Sequence, residues 1–156
     1  MVPFRLYALF RTFGRTGSTT VIDQDYSSTL ESVDVAESEI IKAAEEAGFD
    51  EDSLHQISMA ARECLVNAVV HGNRYNRNKK VHLSVSNENG RFTIKIGDQG
   101  DGFERQEVPD PLQEENVLRH SGRGLFLMEA FMDEMSVAKA EPSGTIVTLV
   151  KNLGGH

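Results

Sequence analysis

The sequence predicts an α+β fold, a mostly antiparallel sheet carrying helices on a single face. Three observations predict it. Hydrophobic periodicity gives the order β-α-α-β-β-loop-α-β-β along the chain. The second and third strands meet at Asn89-Gly90, and the fourth and fifth at Glu141-Pro142-Ser143-Gly144, so each pair is joined by a tight hairpin turn. A length of 156 residues with 39% apolar content suits one core between two layers. Two tight hairpins argue against a doubly wound parallel sheet, whose strands need long crossovers.

In chain order, Thr19 to Asp23 (TTVID) is rich in β-branched residues and reads as an edge strand. Ser27 or Ser28 then precedes a helical pattern that runs through Ala47. Its outer side carries Glu31, Glu37, Glu39, Glu45 and Glu46, and its inner side Val33, Val35, Ala36, Ile40, Ile41, Ala43 and Ala44. Gly48 is placed to end this helix, since glycine takes the left-handed conformation of a C′ cap at no steric cost. Asp50 is placed to cap the next one, with Glu51 and Asp52 in its first turn. The second helix buries Leu54, Ile57, Ala61, Cys64, Leu65 and Ala68, runs to about His71 and stops near Gly72. NRYNRNKK follows as a basic, turn-forming stretch. VHLSVS (81–86) and RFTIKI (91–96) alternate as strands. Residues 97–122 are rich in Gly, Pro and acids and have little periodicity; a loop this long inside a compact domain is uncommon and often functional. GRGLFLMEAF opens a third helix at Gly122, and Glu134 to Ala140 and Thr145 to Lys151 are the last two strands.

Composition narrows the function. A net charge of −8 opposes non-specific binding to nucleic acid or an anionic membrane, because both would repel the chain. The single cysteine, Cys64, excludes an internal disulfide framework, makes a cysteine zinc site untenable and points to a reducing, cytoplasmic setting. No apolar run reaches the length of a membrane-spanning helix. Residues 1–18 hold Arg5, Arg11 and Arg15 and no acid. They read as a flexible basic extension, or as a short amphipathic segment that binds a partner, ahead of a single domain at 19–152.

Three stretches carry chemistry. In ARECLVNAVVHGN, Glu63, Asn67 and His71 fall at i, i+4 and i+8, one polar stripe between apolar flanks. His71 reads as a helix-end residue. Next, Asp98-Gln99-Gly100-Asp101-Gly102 follows a strand. Its glycines let backbone approach a ligand, and Asp98 can accept a hydrogen bond from an exocyclic amine. The oxygens do not fall at the alternating positions of an EF-hand loop, and a plain solvated turn is the competing reading. Last, Ser121-Gly122-Arg123-Gly124 opens a helix. Free N–H groups and the positive dipole end favour phosphate there, with Arg119 and Arg123 to pair its oxygens. It is neither a P-loop nor a G-x-G-x-x-G turn, because no Lys-Ser/Thr follows and Leu127 stands at the third glycine position.

Together, E-x-x-x-N-A-x-x-H-G, D-x-G-x-G-F and S-G-R-G-L-x-L-M resemble the GHKL ATP-binding superfamily, and within it the bacterial anti-sigma factor serine/threonine kinases. ECLVNAVVHGN, GDQGDGF, DPLQEENVLRHSGRGLFLMEAFMDEMSV and GTIVTLVK carry the likeness, over roughly Ser27 to Lys151. The resemblance implies a two-layer α/β sandwich of the Bergerat type, with a mostly antiparallel mixed sheet. It implies ATP and Mg²⁺ as ligands: Asn67 on the metal, Glu63 as general base on a substrate serine, and Asp98 on the adenine amine within a pocket shaped by Gly100 and Gly102. Gly122 and Gly124 meet the phosphates under a lid at about Glu104 to His120, and Thr145 supports the adenine through water.

The function so implied is a protein kinase that phosphorylates a serine of an anti-sigma factor antagonist, binds a sigma factor, forms a homodimer, and contacts neither nucleic acid nor membrane. The alternative is a non-catalytic ATP-binding partner switch, for which a base at Glu63 has no use. A detached histidine-kinase catalytic domain fits less well. Two departures stand out. Arg62 occupies a position where this branch often has an acid, and the lid is itself acidic at Glu104, Glu107, Asp110, Glu114 and Glu115. Arg62 or a lysine of the following loop is also the competing partner for Glu63, as a salt bridge without catalysis.

Overall fold

A computed structural model of the chain describes residues 18–100 and 124–154. The elements are β1 (Ser18–Ser27), α1 (Leu30–Ala47), α2 (Glu51–Asn67), a π-helical turn (Ala68–Gly72), β2 (Lys80–Glu88), β3 (Arg91–Gly97), α3 (Gly124–Phe131), β4 (Glu134–Lys139) and β5 (Thr145–Asn152). The strands form one sheet in the order β1-β2-β3-β5-β4, and all four pairings are antiparallel. The expected two-layer α+β sandwich is what the structure has.

The layers follow from strand alternation. On β2 and β3, Val81, Leu83, Val85, Phe92, Ile94 and Ile96 point one way and are buried, while His82, Ser84 and Lys95 point the other way. The buried face meets Val33, Ala36 and Ile40 of α1 and Ile57, Ala61 and Leu65 of α2 in one core. Phe49, in the α1–α2 turn, meets Phe92 edge to face at 5.4 Å. Fully burying each of the larger side chains contributes about 1.5–3 kcal/mol.

Local signals set most of the helix ends. Gly48 is left-handed (φ 106°) and donates to Ala44 and Glu45, closing α1 as expected. Asp50 accepts from the Ser53 N–H at 2.9 Å and caps α2. The α1 cap differs from the expected serines: it is Thr29, which accepts from the Ser32 N–H at 3.1 Å. Ser28 is committed elsewhere, since its hydroxyl donates to the Lys79 carbonyl at 2.9 Å. Strand β1 also runs four residues past Asp23, to Ser27, because Tyr26 turns into the core opposite Val81. At Asn89-Gly90 both residues have positive φ (53° and 90°), which the tight β2–β3 hairpin requires.

The end of α2 is the unexpected element. It leaves α-helical geometry at Ala68, and the Asn73 N–H donates to the Ala68 carbonyl at 2.8 Å, five residues back. Such single π turns are frequent at functional sites. The wider turn breaks the phase of the stripe: Glu63 and Asn67 are half-buried, whereas His71 is exposed.

Candidate functional site

Asp98 lies where β3 leaves the sheet, nearly buried at 9% exposure. Its backbone N–H donates to the Thr145 carbonyl at 2.9 Å. One carboxylate oxygen, Oδ1, accepts from the Gly100 N–H at 2.9 Å and the Thr145 N–H at 3.2 Å. Burial pushes the Asp98 carboxyl above its ordinary value, and those two N–H bonds and the charge of Lys79 pull it part of the way back.

Three glycines from three segments close around this carboxylate. A Cβ on Gly72, at the end of the π turn, would run into Asp98 Oδ2 and stand 2.5 Å from its Cγ. A Cβ on Gly100 would strike the Gly72 carbonyl, and one on Gly144 the Asp98 carbonyl, 3.1 Å from Oδ1. Gly144 also has φ 106°, a left-handed conformation that glycine adopts freely. The helix of Glu63 and Asn67 is therefore seated directly on the strand end of Asp98. Buried Cys64, between the two stripe residues in sequence, senses this: burial raises its thiol pKa well above the usual range, and the charges of Asp98 and Glu63 raise it further.

Arg62 does not pair with Glu63. It reaches across to α1 and meets Asp34 at 2.9 Å and Glu37 at 2.7 Å. Among the described residues no lysine pairs with Glu63 either, so the salt-bridge reading of Glu63 has no counterpart there.

Of the residues singled out from sequence, Asp98, Gly100 and Thr145 are joined by hydrogen bonds, and Gly72, which ends the helical segment after Glu63 and Asn67, packs on Asp98. Gly124 is the first residue of α3. Gly102, Arg119, Gly122, Arg123 and the lid at 104–120 lie outside the described residues, as does the extension at 1–17. Sequence reasoning missed Asn73. It is buried (2% exposed) and fully bonded: Nδ2 donates to Ser28 Oγ at 2.7 Å and the Lys80 carbonyl at 3.0 Å, and Oδ1 accepts from the Gln99 N–H at 2.8 Å. Its only signal was its place beside Gly72 in a polar, turn-forming run.

A cleft of about 490 Å³ also reaches Asp98, from the other side of the sheet, past His82, Lys95 and Ser143. There His82 bridges Asp23 at 2.7 Å and Asp25 at 2.6 Å. Those residues lie on the sheet face opposite the buried one that packs on α1 and α2.

A family model described as a histidine kinase-like ATPase domain matches residues 26–151. The chain is 35% identical to the anti-sigma F factor of Bacillus subtilis (strain 168) over 104 residues, 65% of this chain and 71% of that protein. It is 34% identical to the anti-sigma F factor of Bacillus velezensis, and 35% to that of Anoxybacillus flavithermus, over the same coverage.

Proposed function

The chain belongs to the histidine kinase-like ATPase family, and on that premise we propose that it is a Mg-ATP-dependent serine/threonine kinase acting as an anti-sigma factor. It would phosphorylate a serine of an anti-sigma factor antagonist and bind a sigma factor. The observation that best supports this reading is the seating of Gly72 on Asp98, which sets that carboxylate at the foot of the helix bearing Glu63 and Asn67.

Each residue then has a task. Oδ1 of Asp98 is occupied by two backbone donors, which leaves Oδ2 for the adenine amine. Thr145, bonded to Asp98 through its N–H, keeps that carboxylate in place and supports the base edge. One helical turn separates Glu63 from Asn67, so the two side chains face the same end of the nucleotide. The half-buried Asn67 amide suits a cation that takes few protein ligands and keeps phosphate and water oxygens. When bound, Mg²⁺ would supply charge neutralisation on the phosphates. Glu63 takes the proton of the serine hydroxyl as its oxygen bonds to the γ-phosphorus and the bond to the ADP oxygen breaks. Gly122, Gly124, Arg119 and Arg123 are proposed to hold the phosphates under the lid, and Gly100 and Gly102 to shape the base pocket. Homodimerisation in the cytoplasm completes the proposal.

The test is transfer of labelled phosphate from Mg-ATP to candidate antagonist proteins of the same genome. Wild type should label a serine, and Glu63→Gln and Asn67→Ala should not. Undiminished transfer by both variants would overturn the residue assignment. A wild type that binds Mg-ATP and labels no candidate would instead support the non-catalytic switch.

A further inference from the structure

We propose that Asn73 is a positioning residue that sets the adenine selectivity of the site, an inference that rests on the reading of Asp98 as the base-recognising group. The side chain joins four stretches of chain at one buried point. Ser28 stands between β1 and α1, Asn73 itself ends the π turn, Lys80 starts β2, and Gln99 follows Asp98. Both amide hydrogens and the carbonyl oxygen are used, so the side chain has one satisfied orientation and rotating it would break every bond.

A second link closes the same ring from outside. The Lys80 N–H donates to Gln99 Oε1 at 2.6 Å, so Gln99 is held to the helix end through its backbone and to the start of β2 through its side chain. The two residues next to Asn73, Arg74 and Tyr75, have φ 51° and 62°. Left-handed conformations cost non-glycine residues stability and persist only where surrounding bonds hold them. Here the bonds are those of Asn73 and the Tyr75 N–H donating to the Val69 carbonyl at 2.9 Å.

The consequence lies one residue away on each side. Gly72 precedes Asn73 and touches the Asp98 carboxylate; Gln99 follows Asp98 and is held by Asn73 Oδ1. Asn73 thus fixes the spacing between the Asp98 carboxylate and the helix of Glu63 and Asn67. With Oδ1 removed, residues 98–100 lose their tie to the helix end, and Oδ2 loses its fixed direction toward an exocyclic amine. Phosphate-end contacts, which belong to other residues, are not addressed by this bond. The effect is therefore on selectivity for a 6-amino purine more than on triphosphate binding as such.

The experiment measures equilibrium binding of ATP and of inosine triphosphate, which carries a carbonyl where ATP has the amine, to full-length protein. Thermal melts confirm that each variant is folded. Wild type is expected to prefer ATP by tenfold or more. Asn73→Ala should reduce the preference to threefold or less, with most of the loss on ATP. Gln99→Pro, which removes the backbone N–H that Asn73 Oδ1 accepts and leaves Asn73 itself in place, should reduce it by about threefold or more and decides the matter if Asn73→Ala does not fold. Ser28→Ala leaves the Asn73–Gln99 bond in place and should lower stability while keeping the preference. Folded Asn73→Ala or Gln99→Pro protein with the wild-type preference would overturn the inference. A wild type that binds both nucleotides alike would remove the reading of Asp98, and the inference with it.

Discussion

Gly72→Ala is the sharpest perturbation of the site, because its effect follows from one contact. The added methyl would occupy the place of Asp98 Oδ2 and lie 2.5 Å from Cγ and 3.0 Å from Cβ. No φ strain is involved, so the cost is steric. Two routes relieve it. Backbone can move apart, at the roughly 1–3 kcal/mol typical of overpacking. Alternatively Asp98 can swing out and give up two charge-assisted N–H bonds, about 1.5–3 kcal/mol each before rehydration. Gly100 against Gly72 and Gly144 against Asp98 limit the first route. The expected loss is therefore about 2–3 kcal/mol, seen as a fall of about 1–2 M in the urea midpoint. ATP affinity should fall with it, since both routes displace the carboxylate. Gly97→Ala is the internal control. It adjoins Asp98 in sequence, but its methyl would meet Ile146 Cγ1 at 3.4 Å and the Thr145 carbonyl at 3.7 Å, with no overlap like that at Gly72, so stability should change little. If the two variants unfold at the same urea concentration and bind ATP equally, Asp98 is not seated on the helix end and the site as described is wrong.

Other outcomes follow from the same geometry. Glu63→Gln should leave Mg-ATP affinity within about threefold in a binding titration while lowering phosphoryl transfer by about 10²–10⁴, the usual contribution of a general base. Asp98→Asn should weaken ATP binding by roughly 10–150-fold, about 1.5–3 kcal/mol for a hydrogen bond to a charged group. It should also change the pH profile. Burial raises the Asp98 carboxyl, so the native state keeps this proton to higher pH than the unfolded chain does. Wild-type stability should therefore decline relative to Asp98→Asn as pH rises from about 4 through the native pKa, then run parallel; urea midpoints across that range test it. Asp50 has the opposite sign. Its cap bonds with Ser53 hold its carboxyl below the ordinary value. Asp50→Ala should cost stability at neutral pH, and the difference from wild type should vanish as pH falls through the native pKa of Asp50.

What could be read from sequence was what is local. Gly48, Asp50 and Asn89-Gly90 act through their own turn, so their roles were visible in adjacent residues. Strand alternation in VHLSVS and RFTIKI gave the sheet face, because one side is buried and the other is not. The stripe Glu63–Asn67 and the Asp98 loop were visible as residue types at a spacing. What the sequence did not disclose depends on partners far along the chain. Ser28 fails to cap α1 because its hydroxyl serves Lys79, 51 residues away. Gly72 looked like a helix stop, yet its position is set by Asp98. Asn73 has an ordinary turn-former's composition, and only folding brings Ser28, Lys80 and Gln99 to it. The π turn has no signature in AVVHG, and it is what takes His71 off the stripe.

Amide chemical-shift mapping with Mg²⁺ and a non-hydrolysable ATP analogue locates the nucleotide on the fold. Saturable shifts are expected at the Asn67 side-chain amide, at Gly72, at Asp98 through Gly100, and at Gly144 and Thr145, with the opposite sheet face unchanged. Shifts confined to His82, Ser84, Lys95 and Ile146, around the cleft on that opposite face, would contradict this placement.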